Sequence, residues 1–214
     1  MTYKLAIFDF DGTLADTFPW IISIFSHLAN EHHMEKITDS QLEEFKSQGV
    51  RKLIHKYKFP VWKIPMIAKD VQTRMSEDIH QISLFEDIEK VLKDLSKNGV
   101  QLALVSSNEI NNIKKVLGEE VTSLFSFFEC GVSMYSKQSK FKKIVRASGI
   151  HEDQTLCIGD EIRDIQAAHR ANIPFGAVAW GYTNIETLLT YHPQEVFHSV
   201  FDIYRAFLSR ETNA

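Results

Sequence analysis

The stretch Leu5-Ala6-Ile7-Phe8-Asp9-Phe10-Asp11-Gly12-Thr13-Leu14 decides how the chain is read. Its first half is a short apolar run with a β-favouring Ile-Phe pair, which predicts a buried strand. The run then breaks into two carboxylates one residue apart and a glycine. Residues two apart on a strand share a face, so Asp9 and Asp11 are expected near one another as the strand runs out. Two anions so placed repel unless one holds a proton or a cation lies between them. Mg²⁺ suits the second case, because it takes one or two carboxylates together with phosphate oxygens of a substrate. Gly12 lets the backbone turn sharply, which can aim its amides at an anion.

Around this stretch, 214 residues that are 44% hydrophobic and 24% charged can bury one substantial core and carry a smaller appended unit. A net charge of −4, with no basic stripe interleaved with aromatics, argues against nucleic acid as a partner. The two cysteines, Cys130 and Cys157, do not make a disulfide scaffold, and Cys157 within an apolar run suits a reduced, buried thiol. No run approaches the ~18 apolar residues of a membrane span, and the N-terminus enters a strand almost at once without a secretory pattern. A cytoplasmic location with no membrane partner is expected. The nine histidines are scattered, and His32-His33 has no metal-site companions, so they read as surface residues.

From Thr17 to about Ser83 the patterning is helical. Trp20, Ile21, Ile24, Phe25 and Leu28 form an apolar stripe over Thr17–Asn30, with Pro19 suited to the first turn. Thr38-Asp39-Ser40-Gln41 has capping-box spacing and starts a helix to Lys46. A short helix is expected over Val50–Tyr57 and another over Ile64–Ile82. Then strands alternate with helices. Strands are expected at Val100–Val105, Phe127–Cys130, Thr155–Ile158, Phe175–Trp180 and Glu195–Phe197. Helices are expected at Glu86–Lys97, Glu109–Leu117 (stopped by Gly118), Ser139–Ser148, Glu161–Ala171, Ile185–Leu189 and Val200–Leu208. Such alternation means a parallel sheet with helices on both faces, a Rossmann-like α/β fold. The core would comprise residues 1–15 and 84–214, with 16–83 inserted as an all-helical cap over the carboxyl edge of the sheet, where open α/β sheets bind ligands.

Three more clusters fall at strand ends or helix starts. Ser106 and Ser107 follow the second strand, where a hydroxyl, an amide and the next helix N-terminus can hold a phosphate oxygen. Tyr135 to Lys143 holds four lysines. Asp160 ends an apolar strand in Ile158-Gly159-Asp160-Glu161-Ile162-Arg163-Asp164, with Asp164 one helical turn on.

Asp9-Phe10-Asp11-Gly12-Thr13 resembles the first motif of the haloacid dehalogenase-like phosphatases, and the later clusters resemble its second, third and fourth motifs in order. The helical insertion after the first strand, and the stretch Asp164–Ala168 through Trp180-Gly181-Tyr182, are similar to the phosphoglycolate phosphatase branch. The resemblance implies that Asp9 attacks phosphorus and Asp11 serves as general acid and base. It implies Mg²⁺ as cofactor, held by the Asp9 carboxylate, the Asp11 backbone carbonyl and Asp160, with Asp164 holding a metal-bound water or orienting the motif lysine. Ser106, the Ser107 amide and a lysine would bind phosphoryl oxygens, with the amides at Gly12 aimed at the same anion. Lys137, with Phe141 four places on, fits the third motif, and Lys140 is the alternative. Gln138 stands where that family often has proline.

The substrate implied is a small phosphorylated metabolite, hydrolysed through an aspartyl-phosphate. A β-phosphoglucomutase-like phosphotransferase, or a non-catalytic member of the fold, are the alternatives. Asp11 argues against dehalogenation, which needs no protonated leaving group. Lys46 and Lys52 are candidates for a Schiff base in the cap, with solvated surface lysine the simpler reading. Specificity is expected from the cap, with Arg51 able to pair with a substrate anion and Phe18 placed near the pocket.

Overall fold

The computed structural model describes residues 3–31, 38–48, 61–131 and 137–208. Leu5–Phe8 (β1) lies inside a six-stranded sheet with β2 (Gln101–Val105), β3 (Phe125–Glu129), β4 (Thr155–Gly159), β5 (Phe175–Val178) and β6 (Glu195–Phe197). The order is β3-β2-β1-β4-β5-β6, and every pairing is parallel. All residues of β1 and β4 are buried, as expected of central parallel strands covered on both faces.

Side-chain alternation sorts the sheet into two apolar layers. Leu5, Ile7, Ala103, Val105, Cys157 and Ala177 pack with helices α6 (Lys137–Ser148), α7 (Ile162–Ala171) and α8 (Ile185–Leu189). Ala6, Phe8, Leu102, Leu104, Ile158 and Val178 face α4 (Ile88–Lys97), α5 (Ile110–Ser123) and α9 (Val200–Leu208). In α4 the inward stripe is Ile88, Val91, Leu92 and Leu95, the spacing of one helical face.

Between β1 and α4 lie α1 (Phe18–Glu31), α2 (Asp39–Gln48) and α3 (Ile64–Glu77), and no strand occurs there among the described residues. The capping box at α2 forms as its spacing predicts. The Thr38 amide donates to Gln41 Oε1 at 2.8 Å, and the Gln41 amide donates to Thr38 Oγ1 at 3.3 Å. The two crossings between this insertion and the sheet domain run side by side. Ala15 forms an antiparallel bridge with Leu84, the Asp16 amide donates to the Ser83 carbonyl at 2.9 Å, and the Phe85 amide donates to the Leu14 carbonyl at 3.0 Å.

Several boundaries differ from the sequence reading for local reasons. The helix expected to reach Ile82 stops at Glu77, followed by a 3-10 turn over Ile79–Gln81. Asp78 breaks the helix and accepts a hydrogen bond from Trp20 Nε1 at 3.1 Å, tying α3 to α1. Gly118 kinks α5 (φ 73°, ψ 169°) rather than ending it, and the helix resumes with Val121 buried. Strand β3 starts two residues early because Phe125 pairs with Leu102 and packs edge-on against Phe8, 6.4 Å between centroids. Strand β5 stops at Val178, ahead of the bends around Gly181. The helix expected over Val50–Tyr57 lies outside the described residues. Among the described residues, no helix is long and apolar enough to cross a membrane.

Leu92, fully buried between α4 and the sheet, tests this packing. Leu92→Ala is expected to cost about 2–5 kcal/mol of stability, read from guanidinium unfolding of variant and parent.

Candidate active site

In this sheet order, successive connections run one way from β1 to β3 and the other way from β4 to β6. The crevice between the carboxyl ends of β1 and β4 is therefore the topological switch point, where open α/β sheets take ligands. Asp9 follows β1, its amide continuing the ladder to the Ile158 carbonyl at 2.9 Å. Asp160 follows β4. Phe10 and Leu14, both fully buried, anchor the loop between them, and the Leu14 and Ala15 amides donate to the Phe10 carbonyl at 2.9 and 3.0 Å.

Asp160 is held from two sides. Thr13 Oγ1 donates to its Oδ1 at 2.9 Å, and the Tyr182 amide donates to its Oδ2 at 2.8 Å. Two glycines let the backbone come this close. A Cβ on Gly12, whose φ is +74°, would lie 2.3 Å from Asp160 Oδ2, and one on Gly181 would lie 2.1 Å from Asp160 Cβ. Tyr182 also hydrogen-bonds Thr17 through its hydroxyl and stacks at a tilt on Phe18, 5.1 Å between centroids.

Lys137, at the start of α6, reaches across the crevice. Its Nζ lies 2.7 Å from Asp9 Oδ2 and 2.6 Å from Asp164 Oδ1, with all three side chains buried. Lys140 instead donates to the backbone carbonyls of Ser106 and Gly131 at 3.2 and 3.0 Å. Of the two lysines the sequence left open, Lys137 is therefore the one beside Asp9. Arg163 approaches Glu161 at 2.5 Å and Asp164 at 3.8 Å.

The charges are out of balance. Five carboxyl groups (Asp9, Asp11, Asp160, Glu161 and Asp164) meet two cations, Lys137 and Arg163. Burial pushes up the Asp9 carboxyl, but Lys137 and Arg163 together outweigh it and hold Asp9 below its usual value. Burial and the Glu161 and Asp9 charges lift Asp160 to about 8. Burial lifts Asp164 well above its usual value, against the pull of Lys137. Asp9, Asp160 and Asp164 each offer an oxygen, all within 4.8 Å of one another, and Asp164 Oδ2 is buried with no hydrogen-bond partner among the described residues. Hard, converging carboxylates in excess of their cations fit a divalent ion such as Mg²⁺.

Asp11 stands apart from that group. The strand ends at Phe8, so the period-two alternation that would have set the two carboxylates side by side no longer applies. The Asp11 carboxylate turns to Asn108, whose Nδ2 donates to Oδ1 at 3.1 Å and Oδ2 at 3.3 Å. Ser106 Oγ lies 3.5 Å from Asp11 Oδ2. Burial, then the Asp9 charge, raise Asp11 to about 6, with Asn108 opposing.

A family model described as haloacid dehalogenase-like hydrolase matches residues 6–178. The chain belongs to the haloacid dehalogenase-like hydrolases. A phosphoglycolate phosphatase of Synechococcus elongatus is 26% identical over 201 residues, covering 94% of this chain and 95% of its own. Pyrophosphatase PpaX of Oceanobacillus iheyensis is 24% identical, covering 95% and 96%. Among solved structures, a haloacid dehalogenase-like hydrolase from Streptococcus pneumoniae superposes with a TM-score of 0.78 at 19% identity, over 96% of this chain and 98% of that one. A hydrolase from Pseudomonas syringae gives 0.76 at 19% identity, over 95% and 96%.

Within this hydrolase fold, Asp9, Asp11, Gly12, Ser106, Lys137, Asp160 and Asp164 gather at one crevice, and Ser107 lies in the same loop as Ser106. Phe18 packs on Tyr182 beside it, with Lys46 Nζ over the Phe18 ring at 5.5 Å and paired with Glu43. Arg51 and Lys52 lie outside the described residues. The sequence reading gave no role to Thr13, Thr17, Asn108 or Tyr182. Thr13, Thr17 and Tyr182 lie inside stretches already quoted and Asn108 directly follows Ser107, but it is long-range packing that sets Thr13 and Tyr182 on Asp160 and Asn108 on Asp11.

Folded Asp160 keeps its proton up to about pH 8, whereas the unfolded chain releases it near 3.8. Without divalent cations, its contribution therefore lowers stability progressively as pH rises between those values, and levels off above. Asp160→Asn removes the dependence while keeping an acceptor for Tyr182. At pH 7.5 in EDTA the variant is expected to be at least about 1 kcal/mol more stable than the parent, the gap closing toward pH 5, by thermal melts across the range.

Proposed function

We propose that this hydrolase is a phosphatase acting on small phosphomonoesters, with Asp9 as nucleophile and Asp11 as general acid and base. The observation that carries the reading is the tuning of these two carboxyls in opposite directions. Asp9 is held ionised against Lys137, while Asp11, two residues on, is raised to about 6.

In the first step an Asp9 carboxylate oxygen bonds to phosphorus as the bond to the ester oxygen breaks, and Asp11 gives its proton to the departing alkoxide. In the second, water attacks the aspartyl-phosphate, Asp11 takes a proton from it, and the bond from Asp9 to phosphorus breaks to release phosphate. Lys137 steadies the nucleophile and the phosphoryl charge. The Ser106 hydroxyl and the amides around Ser107 and Gly12 bind the remaining oxygens. Asp9, Asp160, the Asp11 carbonyl and the neighbouring Asp164 would hold Mg²⁺, which supplies charge compensation for the transferring group. Residues 16–83 act as a cap over the crevice, with Phe18 at its edge. The names of the relatives support a phosphoester or pyrophosphate as substrate, and the two free cysteines suit a reducing, cytoplasmic setting.

Assays with Mg²⁺ and p-nitrophenyl phosphate, 2-phosphoglycolate, pyrophosphate and glucose 1-phosphate test this directly. Free phosphate should appear from at least one phosphomonoester, cease in EDTA and return with Mg²⁺. Conversion of glucose 1-phosphate to its isomer without phosphate release would identify a phosphotransferase instead. Asp9→Asn should lower turnover at least about 1000-fold, and a variant that keeps its rate sinks the scheme.

A further inference from the structure

Asn108 has no part in the scheme above, yet its side chain is fully committed to the site. One amide hydrogen is shared between the two Asp11 oxygens, and the other points to Met75 Sδ, 2.9 Å from Nδ2. Its Oδ1 accepts from the Glu109 amide at 2.7 Å, and its backbone amide donates to Ser106 Oγ at 2.9 Å. These partners fix the orientation of the amide. Turned over, its oxygen would face a carboxylate and its NH₂ would face an N–H donor. The residue is buried, so a lost partner is not simply replaced by water.

Met75 comes from α3, in the helical insertion, and is 1% exposed. One turn earlier, Gln72 Nε2 donates to the Ser107 carbonyl at 3.2 Å, and Asn112 Nδ2 donates back to the Gln72 carbonyl at 2.9 Å. Residues three apart share a helix face. One face of α3 thus docks on the segment 107–112 that follows β2 and carries Asn108.

We propose that Asn108 is a positioning residue, whose amide holds the Asp11 carboxylate where it exchanges a proton with the ester oxygen, and that Met75 holds the amide in turn. Proton transfer is then complete only with α3 docked. Without that hold the Asp11 carboxylate keeps only the Thr17 hydroxyl and the long approach of Ser106 Oγ at 3.5 Å, and misplacement by ~1 Å costs on the order of a hundredfold in rate. The proposal rests on the phosphatase reading and on Asp11 as its acid.

Single turnovers with enzyme in excess isolate ester cleavage. p-Nitrophenolate departs without a proton, whereas phenolate, a poorer leaving group, gains from acid catalysis. Wild type, Asn108→Ala, Asn108→Asp, Met75→Leu and Asp11→Asn are compared on p-nitrophenyl and phenyl phosphate with Mg²⁺. Both Asn108 variants should cleave p-nitrophenyl phosphate within about fivefold of wild type and phenyl phosphate at least about thirtyfold more slowly, in the direction shown by Asp11→Asn. Met75→Leu should fall between. Asn108→Asp keeps the side-chain shape, so the test stands if Asn108→Ala does not fold. Equal losses on both esters, or no loss, would overturn the proposal. A wild type that cleaves neither ester, or an Asp11→Asn without leaving-group dependence, would sink the phosphatase reading itself and this proposal with it.

Discussion

The structure turns on an electrostatic constraint: carboxyl groups from separate strand tips are buried together with fewer cations than anions. Burying a charge is costly unless it is paired, and here the pairing is partial. Lys137 bridges Asp9 and Asp164, and Arg163 serves Glu161 and Asp164. Asp160 has hydrogen bonds from Thr13 and Tyr182 but no cation of its own within salt-bridge distance among the described residues. The sheet makes this crowding possible. Parallel β1 and β4 end side by side, and their apolar residues anchor on both faces, so mutual repulsion at the tips is opposed by two hydrophobic layers.

The same crowding sorts the carboxyls by protonation. Asp9 and Asp11 are two residues apart, yet one is drawn down by a lysine and an arginine and the other pushed up by burial and its neighbour's charge. The separation follows from where the strand stops. Past Phe8 the chain turns through Gly12, and at the same crevice the second carboxyl takes the amide of Asn108 as its partner where the first takes Lys137.

Much of this was legible in the chain. The β/α alternation gave the sheet, and the helices Ile185–Leu189 and Val200–Leu208 fall on their expected bounds, because apolar periodicity and turn residues act over a few positions. Asp9, Asp11, Asp160 and Asp164 were readable because each ends an apolar strand or follows one by a helical turn. Spacing favours Lys137 but leaves Lys140 open. Lys137 and Lys140 lie nearly one turn apart on the same helix, and only the packing of α6 against β2 and α7 selects which reaches Asp9. By sequence, Asn108 is an ordinary polar residue after a strand. Its partners, 97 and 33 residues away in sequence, leave no local trace.

The paired crossings at Ala15 and Leu84 carry a consequence for how this architecture varies. The insertion leaves and re-enters the sheet domain at adjoining backbone positions, already hydrogen-bonded to one another. Its ends are thus tied whatever lies between them, and lengthening or shortening an already closed loop changes its entropy only slightly. Such a segment is free to drift, grow or be exchanged wholesale while the strand tips stay put. Variation in the insertion is thereby uncoupled from the backbone that carries the buried carboxyls.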